Sequence, residues 1–86
     1  MHDTMKVVIV GLGYIGLPTA ALIAAKGIAV HGVDVNTDVV STINEGKVHI
    51  VEPDLEGLVT YTVAKGYLKA HTRPVPADVF LIAVPT

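Results

Sequence analysis

The glycine-rich segment Gly11-Leu12-Gly13-Tyr14-Ile15-Gly16 is the part of the sequence best suited to binding chemistry. Its spacing, G-x-G-x-x-G, predicts a tight turn that brings backbone close to a diphosphate. We assign Gly11 to the turn, Gly13 to the close approach of a pyrophosphate, and Gly16 to close packing of the next helix. The alternative is a turn that only joins a strand to a helix. The context favours binding, because an apolar run precedes the motif, a helix-forming run follows it, and an acid ends the next run.

Two further features complete a predicted dinucleotide site. The backbone N–H groups around Tyr14 and Ile15 are expected to point at the phosphates, helped by the helix dipole. Asp34 follows Gly16 by 18 residues and ends the second apolar run. A carboxylate there accepts hydrogen bonds from the adenosine ribose and repels a 2′-phosphate, so NAD is favoured over NADP. The alternative is that Asp34 only caps the following helix.

The remaining polar residues predict neither a catalytic group nor a metal site. Three histidines lack metal-ligand spacing: His2, His49 and His71. His31 alternates with apolar residues near a strand end, which is typical of a structural role. Glu52 and Asp54 are interpreted as residues at the start of a helix, with a catalytic acid pair as the alternative. We therefore predict no catalytic residue and no metal ligand in this chain.

The predicted site needs a scaffold in which strands and helices alternate. Short β-branched runs predict strands over residues 5–10, 28–33, 68–72 and 79–84. Apolar periodicity and capping residues predict helices over residues 17–26, over 37–45, and from Pro53 to just before Gly66. Asn36 is the predicted cap of the second of these helices. This order indicates an α/β fold with a Rossmann-type, doubly wound parallel sheet. The chain is expected to supply about four of its strands, in the order 3-2-1-4.

Length and composition restrict the classes of protein to which the chain can belong. Its 86 residues suit one small domain, and 51% of them are hydrophobic while only 5% are aromatic, as in parallel strands buried on both faces. The net charge of −2 argues against a nucleic-acid partner. Without cysteine there is no disulfide and no cysteine metal site. No apolar run is long enough to span a membrane, and we expect a cytoplasmic location.

Several segments together resemble the UDP-glucose/GDP-mannose dehydrogenase family. They cover nearly the whole chain in the order of the family: residues 10–20, 32–36, 43–46, 50–55 and 77–86. Within the family, Ile15, Pro18 and Pro85 differ from the residues usual in UDP-glucose dehydrogenases. The run from His49 to Leu55 resembles the UDP-N-acetyl-D-mannosamine dehydrogenase branch more than the UDP-N-acetylglucosamine 6-dehydrogenases. UDP-N-acetylglucosamine and UDP-glucose remain the alternative substrates.

The resemblance implies a reaction and a set of cofactor residues. Such enzymes oxidise the sugar C6 hydroxyl to a carboxylate in two NAD-dependent steps, through a thiohemiacetal on a cysteine in a later domain. The implied cofactor contacts are Tyr14 and Ile15 at the pyrophosphate, Asp34 at the ribose, and Thr86 near the nicotinamide-side half. Since this chain has no cysteine, residues 1–86 are expected to be a partial N-terminal NAD-binding domain that lacks the substrate and catalytic domains.

The resemblance also implies a role for the whole protein. The whole protein would convert its UDP-sugar substrate to UDP-N-acetyl-D-mannosaminuronate, a precursor of surface polysaccharide. It is also expected to be a homo-oligomer. The isolated chain is expected to self-associate through an open fourth strand, to bind NAD weakly, and to oxidise no sugar. The competing hypothesis is a free-standing NAD-binding or redox-sensing module. The coding sequence beyond Thr86 distinguishes the two, because only the enzyme requires a downstream cysteine.

Overall fold

The computed structural model describes residues 5–83, which form one parallel sheet with helices packed against it. The elements are, in chain order, β1 Lys6–Val10, α1 Gly16–Ala24, β2 Ala29–Val33, α2 Thr37–Asn44, α3 Leu55–Ala64, β3 Leu68–His71 and β4 Val79–Ile82. The strands lie in the order β3-β2-β1-β4. The predicted sequence of elements and the predicted strand order are both confirmed. Residue 84, at the predicted end of the fourth strand, lies outside the described residues.

The core lies between one face of this sheet and the helices. β1 pairs in parallel with both β2 and β4, and β2 pairs with β3. Because side chains alternate along each strand, every second residue points at the helices. The strand residues of the core are Val7, Ile9, Val30, Leu68 and Ala70. Within residues 5–83 no helix covers the opposite face, so Phe80 and Ile82 remain exposed there.

The start of α2 matches its predicted cap. The Asn36 side-chain oxygen accepts hydrogen bonds from the N–H groups of Asp38, at 2.9 Å, and of Val39, at 3.3 Å. These bonds satisfy two of the donors that a helix leaves free at its first turn. Asn36, and not Asp34, is therefore the residue that caps this helix.

The start of α3 differs from the prediction. The helix begins at Leu55, two residues after Pro53, because Asp54 has a φ of 65°. Proline is compatible with a first helical turn, but a residue in the left-handed region cannot belong to a right-handed helix. The pattern of proline and acidic residues did not reveal this left-handed residue. The apolar stripe of the helix is confirmed, with Leu55, Val59 and Thr62 buried.

The outer edge of β3 is closed by a side chain from α2. The Asn44 carbonyl oxygen accepts a hydrogen bond from the Ala70 N–H at 2.8 Å, and its amide nitrogen donates to the Ala70 carbonyl oxygen at 2.9 Å. The side-chain amide thus takes the two places that a neighbouring strand would occupy. Covering an edge in this way protects it from pairing with another chain.

The outer edge of β4 lacks such protection within the described residues. Its four residues are Val-Phe-Leu-Ile, all of them exposed, and none is charged. We therefore expect the 86-residue chain to self-associate, since unprotected apolar edges pair with one another. A charge on the edge should oppose pairing, and Ile82→Lys should raise the dissociation constant by about tenfold, or roughly 1.4 kcal/mol.

Sedimentation velocity over a range of concentrations measures this effect. The matched control is Leu22→Lys, which places the same charge on an exposed apolar position of α1, away from the edge. We expect the control to associate like the unaltered chain. An unaltered chain that stays monomeric at every concentration would show that the edge is not adhesive.

Candidate cofactor site

The glycine turn lies at the carboxyl ends of β1 and β2. Gly11 has a φ of 96°, a conformation that L side chains rarely adopt, and its N–H donates to the Val33 carbonyl oxygen at 2.8 Å. The next N–H, that of Leu12, donates to the Asp34 carboxylate at 3.0 Å. Hydrogen bonds from two consecutive backbone N–H groups, one to a carbonyl oxygen and one to a carboxylate, thus attach the turn to the end of the neighbouring strand. Ligands of open parallel sheets bind at this end.

A cleft of about 270 Å³ opens above the turn. Its lining residues are Gly11, Leu12, Gly13, Tyr14, Ile15, Asp34 and Ala83. Typical small-molecule pockets measure roughly 300–1,000 Å³, so the cleft accounts for part of a dinucleotide site. A Cβ built on Gly13 would meet no heavy atom within 4 Å beyond its two chain neighbours. The space beside this residue is therefore open to a ligand, as a pyrophosphate at this position requires.

The two residues that precede α1 provide free hydrogen-bond donors. Within residues 5–83, the Tyr14 and Ile15 N–H groups make no hydrogen bond to the backbone. The N–H groups of Leu17 and Thr19 instead bond back to the Gly13 and Ile15 carbonyl oxygens, at 3.1 and 3.2 Å. Free N–H groups at a helix N-terminus attract anions. The geometry is thus compatible with phosphate oxygens at the positions that the sequence predicted.

Asp34 has a structural task in addition to its predicted one. One carboxylate oxygen accepts the Leu12 N–H, and the other accepts the Asn36 N–H at 2.9 Å. Each carboxylate oxygen has further lone pairs, so a ribose hydroxyl can still donate to it from the cleft. Asp34 therefore holds the turn and lines the cleft at once. Thr86, predicted near the nicotinamide-side half, lies outside the described residues.

Leu12 and Ala83 line the cleft and were missed by the sequence analysis. Leu12 stands between two motif glycines, at a position where G-x-G-x-x-G sets no requirement. Ala83 follows β4, whose carboxyl end meets that of β1 at the Val10–Ile82 pair. The rule that parallel strands end at the same edge could have identified Ala83. Sequence spacing carries no comparable signal for Leu12.

A pair of histidines lies on the sheet face without helices. His31 Nδ1 and His71 Nε2 are 2.8 Å apart, and the two rings stack with their centroids at 4.9 Å. One ring must donate and the other accept, so the contact requires that at least one imidazole be neutral. Burial lowers the pKa of His31, and the positive charges of His71, Lys6 and Lys69 lower it further. The predicted structural role of His31 thus takes the form of a link between β2 and β3.

This pair should make the stability of the fold depend on pH. Since the pKa of His31 is lower in the folded chain than its ordinary value of about 6.5, the unfolded chain binds more protons below that pH. The free energy of unfolding should therefore fall as the pH drops from 8 to 5.5. Urea midpoints at both pH values test this. His31→Gln should reduce the difference, whereas His49→Gln, at an exposed position outside the pair, should keep it.

Two other kinds of site receive no support from the described part of the chain. Between residues 5 and 83, no three potential metal-ligating side chains gather closely enough to hold an ion. The helices in the same range are too short or too polar to span a bilayer.

The structure combines a parallel sheet of order 3-2-1-4 with a glycine turn, free N–H groups before a helix, and an acid at the end of the next strand. Together these features define a dinucleotide-binding domain. Residues 5–86 match the model of the UDP-glucose/GDP-mannose dehydrogenase family, NAD binding domain. The chain belongs to this family, and its cofactor is NAD.

Individual relatives refine the comparison. The chain is 58% identical over 86 residues to the UDP-N-acetyl-D-mannosamine dehydrogenase of Campylobacter jejuni, covering 100% of the chain and 21% of the relative. It is 58% identical over 84 residues to the NDP-N-acetyl-D-galactosaminuronic acid dehydrogenase of Ralstonia nicotianae, covering 98% and 20%. The structure of the Staphylococcus aureus UDP-N-acetyl-mannosamine dehydrogenase superposes with a TM-score of 0.90 at 44% identity, covering 93% and 19%. The chain thus spans about a fifth of these proteins.

Proposed function

We propose that residues 1–86 are the N-terminal NAD-binding part of a nucleotide-sugar dehydrogenase that oxidises UDP-N-acetyl-D-mannosamine to UDP-N-acetyl-D-mannosaminuronate. The observation that carries the proposal is the cleft at the Gly11–Gly16 turn. All 86 residues of the chain that forms this cleft align with such a dehydrogenase. When bound, NAD supplies the hydride acceptor of the oxidation. The chain contains no cysteine, so the proposal places the sugar-binding and catalytic groups outside these residues.

Each part of the cleft has a proposed task toward NAD. The N–H groups of Tyr14 and Ile15 donate to the pyrophosphate, and the open space at Gly13 admits it. The Asp34 carboxylate accepts hydrogen bonds from the adenosine ribose and repels a 2′-phosphate. The contact of Thr86 with the nicotinamide-side half remains a proposal from the family resemblance. The same resemblance supports a cytoplasmic homo-oligomer that supplies a precursor of surface polysaccharide.

The sugar is the least constrained part of the proposal. Two of the relatives that match at 58% identity are named for different N-acetylhexosamine derivatives. Oxidation of the N-acetylgalactosamine sugar nucleotide is therefore the second candidate. The run from His49 to Leu55 favours the mannosamine substrate by resemblance. NADH formation by the protein that carries this chain, with UDP-N-acetylmannosamine, UDP-N-acetylgalactosamine, UDP-N-acetylglucosamine and UDP-glucose compared, decides between the substrates.

A chimera tests the cofactor part of the proposal. Residues 1–86 would replace the matching segment of the Campylobacter jejuni enzyme, which has the same length in the alignment. We expect NADH formation with UDP-N-acetylmannosamine, and none from the same chimera carrying Gly13→Val. A folded chimera that binds the sugar nucleotide but reduces no NAD would contradict the proposal.

Selectivity for NAD over NADP should depend on the charge of Asp34. Asp34→Asn removes the repulsion of the 2′-phosphate, so the ratio of the NADP to the NAD dissociation constant should fall by about tenfold, or roughly 1.4 kcal/mol. Asp34→Ala should weaken NAD binding as well, since it removes the ribose acceptor. Loosening of the turn should change the NAD and NADP dissociation constants by the same factor, whereas loss of the repulsion should change the ratio between them.

Titration of the chain and its variants with NADH and NADPH, followed by fluorescence, gives the ratio. Asp38→Asn is the matched control, because it removes the same charge from an exposed position in the first turn of α2. An unaltered chain that binds both cofactors equally would show that Asp34 does not select NAD.

A further inference from the structure

The side chain of Leu12 packs directly over Gly32 on β2. A Cβ built on Gly32 would lie 2.6 and 2.9 Å from the two Leu12 methyl carbons and 3.2 Å from its Cγ. Real Cβ atoms essentially never approach another heavy atom so closely. The absence of a side chain at position 32 is therefore what allows Leu12 to lie there. Neither residue belongs to the predicted cofactor contacts.

Leu12 cannot easily move aside if that space is filled. It is 1% exposed and belongs to the core cluster. Its N–H is held at the same time by Asp34, at 3.0 Å, and the preceding N–H is held by Val33. Because close-packed cores transmit strain, displacing the side chain would pull on the backbone of the turn that lines the cleft.

We propose that Gly32 is a positioning residue for NAD, which acts through Leu12. The empty position on β2 receives the Leu12 side chain, and this contact sets the height of the glycine turn above the sheet. The hydrogen bond from the Leu12 N–H to Asp34 then fixes the turn relative to the ribose carboxylate. The inference rests on the proposed use of this cleft by NAD.

The test is a double-variant cycle in the chimera described above, in which residues 1–86 replace the matching segment of the Campylobacter jejuni enzyme. Gly32→Ala should raise the NAD dissociation constant by roughly tenfold, which corresponds to about 1.4 kcal/mol. Leu12→Val shortens the opposing side chain by one carbon, and alone it should raise the NAD dissociation constant a few-fold. The combined variant should bind better than Gly32→Ala, because the shorter side chain relieves the overlap. NMR titration with NAD measures these constants even when binding is in the millimolar range.

A second measurement reports on the contact without cofactor. Amide hydrogen exchange of Leu12 should accelerate in Gly32→Ala and slow again in the combined variant, since its N–H bonds to Asp34. Gly57→Ala is the control, because a Cβ there meets nothing within 4 Å, and it should change neither measurement.

The outcomes are distinct. Recovery of NAD binding and of amide protection in the combined variant supports the inference. Equal NAD affinity in Gly32→Ala and the unaltered chimera, or a combined variant as weak as Gly32→Ala, overturns it. Absence of NAD binding by the unaltered chimera contradicts the proposed function itself and overturns the inference with it. This result is distinct because it concerns the unaltered protein and not its variants.

Discussion

Gly13→Val should abolish measurable NAD binding while the chain keeps its fold. A Cβ built on Gly13 would meet no heavy atom within 4 Å beyond its two chain neighbours, and the Gly13 backbone does not use the left-handed region. A valine side chain can therefore enter without strain in the protein, but it occupies the space that the pyrophosphate needs. The effect should fall on the ligand alone.

Calorimetric titration with NAD, combined with urea denaturation, separates the two effects. We expect a urea midpoint close to that of the unaltered chain and no heat of binding. Gly13→Ala, with a smaller side chain, should give an intermediate loss of affinity. Unchanged affinity in the valine variant would place the phosphates elsewhere.

Gly16→Ala should have the opposite effect, on the fold before the ligand. A Cβ on Gly16 would overlap the Gly11 carbonyl oxygen and stand 2.8 Å from the Gly11 carbonyl carbon. Overpacking usually costs about 1–3 kcal/mol, and here the obstacle is backbone, which cannot rotate away. We therefore expect Gly16→Ala to lower the free energy of unfolding by at least about 3 kcal/mol. This loss is large, because a typical protein has a free energy of unfolding of only roughly 0.05–0.15 kcal/mol per residue.

Denaturation followed by circular dichroism measures the loss, and Gly57→Ala gives a sharp control. Gly57 lies in α3 at an exposed position without neighbours. There the same substitution should stabilise the chain by about 0.5–1 kcal/mol, because alanine favours helix more than glycine does. Two identical substitutions should thus change stability in opposite directions. A Gly16→Ala variant as stable as the unaltered chain would show that α1 can shift away from the turn.

The elements and the main features of the site could be predicted because their causes are local. A β-branched run, three spaced glycines and an acid at the next strand end each depend on a few adjacent residues. Asn36 was predicted as a cap for the same reason, since it bonds to residues two and three positions later. The strand order followed from the general topology of such folds.

The contacts that the sequence did not reveal join residues far apart in the chain. Leu12 over Gly32, and His31 beside His71, depend on the register between neighbouring strands. Register is set by the packing of the whole sheet, so spacing along the chain contains no direct signal for these pairs. The second role of Asp34 was hidden likewise, because its bond to Leu12 spans 22 residues.

Within residues 5–83, Asn44 occupies one outer edge of the sheet, and the other outer edge, at β4, carries no such cover. A molecule with one unprotected strand edge can pair with only one other copy. When two copies pair through β4, the unprotected edge of each is occupied. Such a contact is isologous and closes on itself. Pairing of β4 with the β3 edge of another copy would be heterologous and could continue without limit, as in a fibre. Because the Asn44 amide occupies the Ala70 backbone groups, we expect association of the 86-residue chain to stop at pairs and not to continue as an open-ended polymer.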